Sequence, residues 1–394
     1  MNFDLTTEQE IAIDSFRRFL AAEIRPAVAR YGDTMIPKPA MHELLGKLAL
    51  YGVGSGWLPE SEGGMGLDLV TSGLLYEELS CVAPGLAGTA YINEATAISI
   101  AWVGSPALRT KYVPGLLQGT VIGCEAITEP SVGSNPRDVK TRAVKEGEFY
   151  RITGEKNWIS NGHVSDIAIV VCRTEDHGPG VLSLFLVDRN EHGYESRDLP
   201  KLGLNTWSTG QLYFDNVRVP ASNMIGAPGV GLKQTIRMFE RVRCFVAIQS
   251  IGIARAALEQ ATQYAQERTQ WGKPIGGHQL VQAMIAEMAT DVDAARLLTL
   301  RGLHLLQKGI RCDTQTSMAK YFSTEAALRV ASKAVQVHGA YGLSREYPVE
   351  QLFRDARMMT IPDGTTEIQK LIIARNLLGI AAFGDMRTTE SKPS

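Results

Sequence analysis

The sequence lacks several features that would place it in a special class of protein. Its 394 residues include only five cysteines, none of them in a C-x-x-C pair. This spacing argues against a disulfide framework and a zinc site, so we predict no metal, and it suits a reducing compartment. No run of eighteen apolar residues occurs, and no basic region followed by an apolar stretch opens the chain. We therefore expect a cytoplasmic protein with no signal peptide and no membrane insertion.

An excess of charge of either sign is also missing. The 40 basic and 42 acidic residues give a net charge of −2, which implies no general attraction to nucleic acid or to an anionic membrane. Hydrophobic residues make up 44% of the chain and charged residues 21%, as in ordinary globular proteins. The length allows two or three domains around a large core.

Helical and β-rich patterns follow one another in a simple order. The first part is helical and opens on a predicted capping box, in which Thr7 caps and Glu10 reaches back. The β-rich runs predict an antiparallel domain: Arg151–Gly154, Ile167–Cys172, Val181–Asp188 and Gln211–Val219. The later helical patterns predict a four-helix bundle: Ala247–Arg268, Gln279–Gly309, Thr314–His338 and Thr365–Leu378.

These patterns together predict an α+β fold of three domains. We place an N-terminal all-α domain at 1–122, an antiparallel β-domain at 123–229 and a C-terminal four-helix bundle at 230–385. The polar residues 386–394 are expected to form a flexible tail.

Five short segments carry residue types that suit a cofactor and a thioester substrate. They are AITEPSVGSN (126–135), KNWISNG (156–162), ERTQWGKPI (267–275), QVHGAYG (336–342) and IPDGTTEIQ (361–369). Each alone has an ordinary structural interpretation, such as a helix end or a Pro-Asp-Gly turn. Together they resemble the acyl-CoA dehydrogenases, flavoenzymes that desaturate acyl thioesters. The resemblance spans nearly the whole chain, and implies the family's α–β–α fold, FAD as cofactor, a homotetramer and an electron-transfer flavoprotein as electron acceptor.

The first two segments resemble the loops that hold the flavin ring in this family. The resemblance implies that Ile127 and Thr128 bind the flavin, and that Ser134 contacts both flavin and substrate. It implies that Trp158 covers one flavin face and that the Ser160 hydroxyl approaches the reactive nitrogen. A donor at that place stabilises negative charge arriving with a hydride.

The next two segments resemble those that bind the FAD pyrophosphate across a subunit boundary. A guanidinium suits phosphate because its fork binds two oxygens at once. The residues that the resemblance assigns to this cofactor half are Arg268, Trp271, His278, Gln336, Gly339 and Ala340. The neighbouring His338 is interpreted as a packing residue.

The last segment resembles the one that carries the catalytic base. The resemblance implies that Asp363 removes the substrate's α-proton and that Gly364 leaves room for the thioester. Thr365 and Glu367 would meet the adenosine half of FAD. Arg243 and Arg375 would orient the CoA chain, although either residue equally suits a structural ion pair.

Four residues depart from the family's pattern, and one of them is Ala340, which stands where glycine is usual. Asp363 stands where glutamate is usual, Asn135 where aspartate is usual, and Glu125 where an aromatic or apolar residue is common. Aspartate is one methylene shorter, and a misplacement of about 1 Å costs on the order of 10²-fold in rate. Three explanations are open: a branched or cyclic substrate, a different fate for the carbanion, or a base elsewhere. One branch of the family carries its glutamate immediately before the arginine of the bundle's first helix, but here that position is Val242, and Glu240 lies one turn earlier.

Other functions compete with acyl-CoA dehydrogenation. A thioester on an acyl carrier protein is a close variant. Nitroalkane oxidases, which are related flavoenzymes, also use an aspartate base, but they differ in the residues that here read Gly364–Gln369 (GTTEIQ). DNA-associated members of the superfamily carry extra basic surface, which the balanced charge of this chain does not provide.

Overall fold

The computed structural model describes residues 4–178 and 180–382 of the chain. Its first part is helical because apolar residues recur there every three or four positions. A short π-helical stretch, Leu20–Ile24, joins the first two helices. The helices are α1 (Thr7–Phe19), α2 (Arg25–Ala29), α3 (Lys38–Ala49), α4 (Leu69–Val82), α5 (Pro84–Val103) and α6 (Pro106–Leu117).

Helix α1 begins with a capping box one residue before the predicted one. The Thr6 hydroxyl accepts the Gln9 N–H, and the Gln9 side chain accepts the Thr6 N–H. The prediction of Thr7 and Glu10 is therefore wrong. Both pairs satisfy the same sequence pattern.

A β-sheet of eight strands follows the first helices. It has the order β6-β7-β3-β2-β4-β5-β8, with β1 paired to β4. Most pairs are antiparallel, as predicted, but β1–β4 and β2–β4 run parallel. The one-turn helix α7 (Arg189–His192) follows β5. The strands are β1 (Gly123–Ala126), β2 (Arg142–Glu146), β3 (Phe149–Ser160), β4 (Ile167–Arg173), β5 (Leu182–Asp188), β6 (Glu195–Asp198), β7 (Thr209–Pro220) and β8 (Met224–Ile225).

Long helices form the C-terminal part, and a two-stranded hairpin, β9 (Thr269–Gln270) and β10 (Lys273–Pro274), connects the first two. Helix α8 begins sixteen residues earlier than the predicted Ala247. A short additional helix, α11, precedes the last one. The helices are α8 (Gly231–Glu267), α9 (Gln279–Gln307), α10 (Asp313–His338), α11 (Val349–Met359) and α12 (Thr366–Leu378).

The sheet has a different core on each face because successive side chains of a strand point to opposite sides. Along β4, Ile167, Ile169 and Val171 join the large core formed with the helices. Ala168 and Val170 join a smaller core within the sheet domain. The sheet is thus packed against the helices of both ends of the chain, and the candidate site lies near this junction.

The predicted domain boundaries fall in the connections between helix and strand, after α6 and after β8. They stay predictions, and residues 386–394 lie outside the described residues. None of the described helices combines the length and hydropathy needed to cross a membrane. In the described part of the chain no group of His, Cys, Asp and Glu side chains is arranged to hold a metal ion.

Candidate active site

Asp363 lies in the tight turn between α11 and α12. Its φ is 55° and that of Gly364 is 91°, so two successive residues occupy the left-handed region. Aspartate tolerates this conformation better than most residues, and glycine adopts it freely. A Cβ at Gly364 would lie 2.5 Å from the Gln369 amide nitrogen, so the turn also requires a glycine for space.

Buried side chains from two helices fix this turn. The Gln369 amide donates to the carbonyls of Asp363 (3.2 Å) and Gly364 (3.0 Å) from the first turns of α12. The ammonium of Lys320, on α10, donates to the Thr360 carbonyl at 3.0 Å. Both side chains are fully buried. The Asp363 backbone is therefore held from both sides, which is what a catalytic group needs in order to be pre-organised.

The environment of Asp363 sets its pKa to about 6. Burial raises the pKa, whereas the charge of Lys320, the nearby hydroxyl of Tyr91 and the charge of Arg243 each lower it. Burial in turn lowers the pKa of Lys320 to about 8, against the opposing effect of Asp363. A carboxylate with a pKa near 6 is ionised at neutral pH and basic enough to accept a proton from carbon.

Two hydrogen-bond donors at this turn have no partner of normal geometry among the described residues. One is the hydroxyl of Tyr91 on α5, which is buried and faces the Asp363 carboxyl closely enough to lower its pKa. The other is the Asp363 backbone N–H, for which neither a backbone nor a side-chain acceptor is found. Unpaired buried donors are costly, and they are common where a ligand completes the site.

The structure brings the two predicted flavin loops together. The Asn157 N–H donates to the Thr128 carbonyl at 2.9 Å, and the buried Lys156 ammonium donates to the Ile127 carbonyl at 3.0 Å. The pairing of β3 with β7 shifts register between Lys156 and Ile159. This bulge turns Trp158 outward, with a φ of 60° and 56% of its surface exposed.

Groups that can hydrogen-bond lie on the two loops that meet beside Trp158. Ile127, Thr128 and Ser160 are partly exposed, and Ser134, six residues after Thr128 in the chain, is exposed. A planar apolar face beside backbone and hydroxyl groups fits an isoalloxazine ring, whose edge presents both donors and acceptors. The donor set therefore fits the flavin half of FAD.

The residues predicted for the pyrophosphate meet elsewhere, at the C-terminal ends of α8 and α10. The Arg268 guanidinium lies 5.7 Å from the centre of the Tyr341 ring, which joins the two segments. Trp271 in the hairpin is 92% exposed, and the Nε2 atom of His278 lies 3.4 Å from the Gln270 carbonyl oxygen. Gln336, Gly339 and Ala340 are exposed as well, and a Cβ at Gly339 would meet nothing within 4 Å.

This second group is remote from the base of the same chain. Lys320, beside Asp363, and Gln336 are sixteen residues apart on α10, which corresponds to about 24 Å at 1.5 Å per residue. Within one chain the structure therefore does not bring the predicted pyrophosphate residues to the base. Their exposure fits a cofactor shared with another copy of the chain.

The remaining predicted residues lie around the base. Thr365 caps α12 and accepts the Ile368 N–H, and Glu367 is exposed in the first turn. Arg243 is buried, and its Nε has no partner among the described residues. Arg375 forms an ion pair with Asp313 at 3.6 Å, which is the structural alternative that the sequence left open.

Glu240, one helical turn before Arg243, lies among charged side chains. Burial raises the pKa of Glu240, and the charge of Asp313 raises it further. The charges of Arg243, Arg311 and Arg237 lower it. His338 packs as expected, with its ring stacked on Tyr264 at 4.2 Å between centroids and its Nδ1 bonded to the Ala334 carbonyl.

Sequence reasoning missed Tyr91, Lys320 and Gln369. Each sits in an otherwise ordinary helical pattern. The one available signal was a lysine at a core position of a helix, because lysine is almost never fully buried without a partner. Tyr91 and Lys320 lie outside the five segments that carry the resemblance. Gln369 is the last residue of the fifth segment.

Comparison with known proteins assigns all three parts of the chain to one family. Family models named "Acyl-CoA dehydrogenase", for the N-terminal, middle and C-terminal domains, match residues 6–120, 124–217 and 229–378. An acyl-CoA dehydrogenase of Bacillus subtilis is 36% identical over 95% of this chain and 99% of its own length. A cyclohex-1-ene-1-carbonyl-CoA dehydrogenase of Geobacter metallireducens is 35% identical, with 95% of this chain and 99% of its own length covered.

A solved structure of similar sequence supports the same assignment. Butyryl-CoA dehydrogenase from Megasphaera elsdenii superposes with a TM-score of 0.90 at 32% identity, covering 96% of this chain and all of the other. The predicted fold class and the predicted resemblance are thereby confirmed. The chain belongs to the acyl-CoA dehydrogenases, a family of FAD-dependent oxidoreductases.

Proposed function

We propose that the protein desaturates an acyl-CoA thioester and that Asp363 is the base that removes the α-proton. The observation that carries this proposal is the catalytic turn. Its carboxyl group has a pKa of about 6, and its backbone is fixed by Gln369 and Lys320.

The unpaired donors at this turn suit a thioester. The Asp363 N–H, which has no acceptor among the described residues, would donate to the thioester oxygen and make the α-proton more acidic. The Asp363 carboxylate would take this proton, and Tyr91 and Lys320 would stabilise its ionised form. When bound, FAD supplies the acceptor for the hydride that leaves the β-carbon. The partly unsatisfied guanidinium of Arg243 would help to orient the CoA part.

The shorter base favours a branched or cyclic acyl group. Such a group carries its α-carbon closer to the wall of the pocket, which compensates for the missing methylene of aspartate. Aromatic rings narrow the space on the Tyr91 side, because Trp57, Tyr76 and Tyr91 all pack around Phe245 with centroids 4.4–5.9 Å apart. The similarity to a dehydrogenase that acts on a cyclic thioester supports this choice.

The residues predicted to bind the FAD pyrophosphate are fully or partly exposed and remote from the base. This supports a homotetramer in which subunits share the cofactor. The acceptor of the electrons is then an electron-transfer flavoprotein, as in the family. A carrier-protein thioester and a nitroalkane remain the alternative substrates.

The proposal is tested by anaerobic mixing of the FAD-loaded protein with straight, branched and cyclic acyl-CoAs. We expect a branched or cyclic member to bleach the flavin absorption band, and mass spectrometry to show a product two mass units lighter. Oxygen should reoxidise the reduced protein slowly and an electron-transfer flavoprotein quickly. An FAD-loaded protein that no acyl-CoA bleaches, or one that oxygen reoxidises at once, would contradict the proposal.

A further inference from the structure

A cavity of about 360 Å³ lies between α5, the strands β1, β4 and β5, and the start of α8. Its volume is that of a small-ligand pocket. About half of its exposed wall is apolar, and this part includes Trp102, Ile127, Ile169, Val171, Leu184 and Met238. The polar part includes Glu62, Ser99, Arg109, Glu125 and Arg237. The acyl part of a substrate would meet an apolar wall together with polar groups at fixed places.

Glu125 is the unusual side chain of this cavity. It projects from β1, two residues before the predicted flavin ligand Ile127, where the family commonly has an aromatic or apolar residue. Ser99 on α5 donates to its Oε1 at 2.7 Å. No described residue hydrogen-bonds its Oε2. Glu125 is half-buried, so its free Oε2 is available to a ligand in the cavity that this side chain lines.

Tyr91 lies on the same helix as Ser99, on the side of the catalytic turn. Tyr91 is 4% exposed, and its hydroxyl has no hydrogen-bond partner among the described residues. Burial, and after it the charges of Asp363 and Glu125, raise the pKa of Tyr91. Tyr91 and Ser99, which bonds Glu125, are eight residues apart on α5, or about 12 Å at 1.5 Å per residue. The polar end of the cavity therefore lies about two turns of this helix from the residue that faces the base.

The charges around the cavity favour a neutral ligand. The Arg109 Nε donates to the Gly104 carbonyl at 2.9 Å, and the Arg237 guanidinium lies 5.4 Å from the centre of the Trp102 ring. Two acidic residues, Glu62 and Glu125, and two basic ones, Arg109 and Arg237, line the cavity, so its charges balance and favour neither an anionic nor a cationic acyl end. A hydroxyl or carbonyl oxygen fits between them, because Glu125 accepts a hydrogen bond from a hydroxyl when it is ionised and donates one to a carbonyl when it is protonated.

We propose that the acyl group of the substrate carries a neutral oxygen substituent, a hydroxyl or a ring carbonyl, and that Glu125, held by Ser99, binds it. This inference rests on the proposed function, since it assumes that the same cavity takes the acyl group of a CoA thioester. A site built to hydrogen-bond a substituent discriminates strongly against the analogue that lacks it, because the buried polar group is then left unpaired.

Binding measured without turnover tests the inference. The FAD-loaded Asp363→Asn protein is titrated by calorimetry with cyclohexanecarbonyl-CoA and with its 3-hydroxy, 4-hydroxy and 4-oxo derivatives. We expect at least one oxygenated member to bind about tenfold or more tightly than the plain thioester. In Asp363→Asn/Glu125→Leu this ratio should fall to within about twofold, whereas Asp363→Asn/Glu125→Gln should keep most of it. Asp363→Asn/Glu10→Leu, altered on the exposed surface of α1, serves as the matched control.

Two outcomes would contradict two different proposals. Equal binding of the plain and oxygenated thioesters, or a preference that Glu125→Leu leaves intact, would overturn the role of Glu125 and leave the dehydrogenase proposal standing. Failure of every acyl-CoA both to bind this protein and to bleach the flavin of the unaltered protein would overturn the proposed function itself.

Discussion

Asp363 can accept a proton only when it is ionised, so its pKa of about 6 should appear in the pH dependence of the reaction. We expect kcat/KM to rise as pH increases through about 6. The Tyr91 hydroxyl, which faces this carboxyl group, lowers the pKa of Asp363. Tyr91→Phe should therefore raise that pKa and move the acid limb to higher pH, with a loss of roughly threefold to tenfold near pH 6 and recovery at higher pH.

The pH profile separates this effect from a purely structural one. A change in packing alone would lower kcat/KM by the same factor at every pH. Tyr213→Phe, on the sheet strand β7, should leave the profile in place. An acid limb that does not move in Tyr91→Phe would show that the Tyr91 hydroxyl does not act on the base.

At the scale of the element, the turn between α11 and α12 depends on Gln369. Replacing this residue with leucine removes both hydrogen bonds to the carbonyls of Asp363 and Gly364. The left-handed turn should then loosen and displace the base. We expect Gln369→Leu to lower kcat/KM on the order of 10²-fold, with FAD content unchanged.

The control for this prediction is Gln282→Leu, at an exposed position of α9. Steady-state kinetics with the acyl-CoA identified by flavin bleaching gives the comparison. Near-native kcat/KM in Gln369→Leu would mean that the backbone of the turn holds its shape without the amide.

The elements also show what the sequence can and cannot predict. Helices α9, α10 and α12 were placed to within two residues because their periodic patterns are long and end at clear signals. The helical period is expected from about Val230, but the first long helix is predicted to begin only at Ala247, although apolar residues already recur at helical spacing at Phe239, Val242 and Val246. The motif residues around the flavin were found because they lie in compact segments. Tyr91 and Lys320 were not found, since their roles come from the packing of α5 and α10 against a turn far away in the sequence.

At the scale of the whole molecule, a buried ion network ties the N-terminal helices to the bundle. Glu77 and Glu78 on α4 are nearly fully buried. The Arg255 guanidinium on α8 donates to both, at 2.6 and 2.9 Å. Arg17 on α1 and Arg296 on α9 complete the network. Removing one partner of a buried pair leaves charge without compensation.

Arg255→Met should therefore destabilise the fold by about 3 kcal/mol. The check is a chemical and thermal unfolding curve of the FAD-loaded protein at one fixed concentration. Arg18→Met, at an exposed position of α1 with no ion pair among the described residues, should change the curve little. An unchanged unfolding midpoint in Arg255→Met would show that the ion pairs of Arg255 do not stabilise the fold.

The most direct test of the account is rapid anaerobic mixing of the Asp363→Asn protein with the acyl-CoA that bleaches the unaltered protein. Asparagine keeps the size of aspartate but cannot accept the α-proton at neutral pH. We expect the rate of flavin bleaching to fall on the order of 10³-fold or more, while FAD content and acyl-CoA affinity stay close to those of the unaltered protein. Bleaching at the native rate would contradict the account and place the catalytic base elsewhere in the chain.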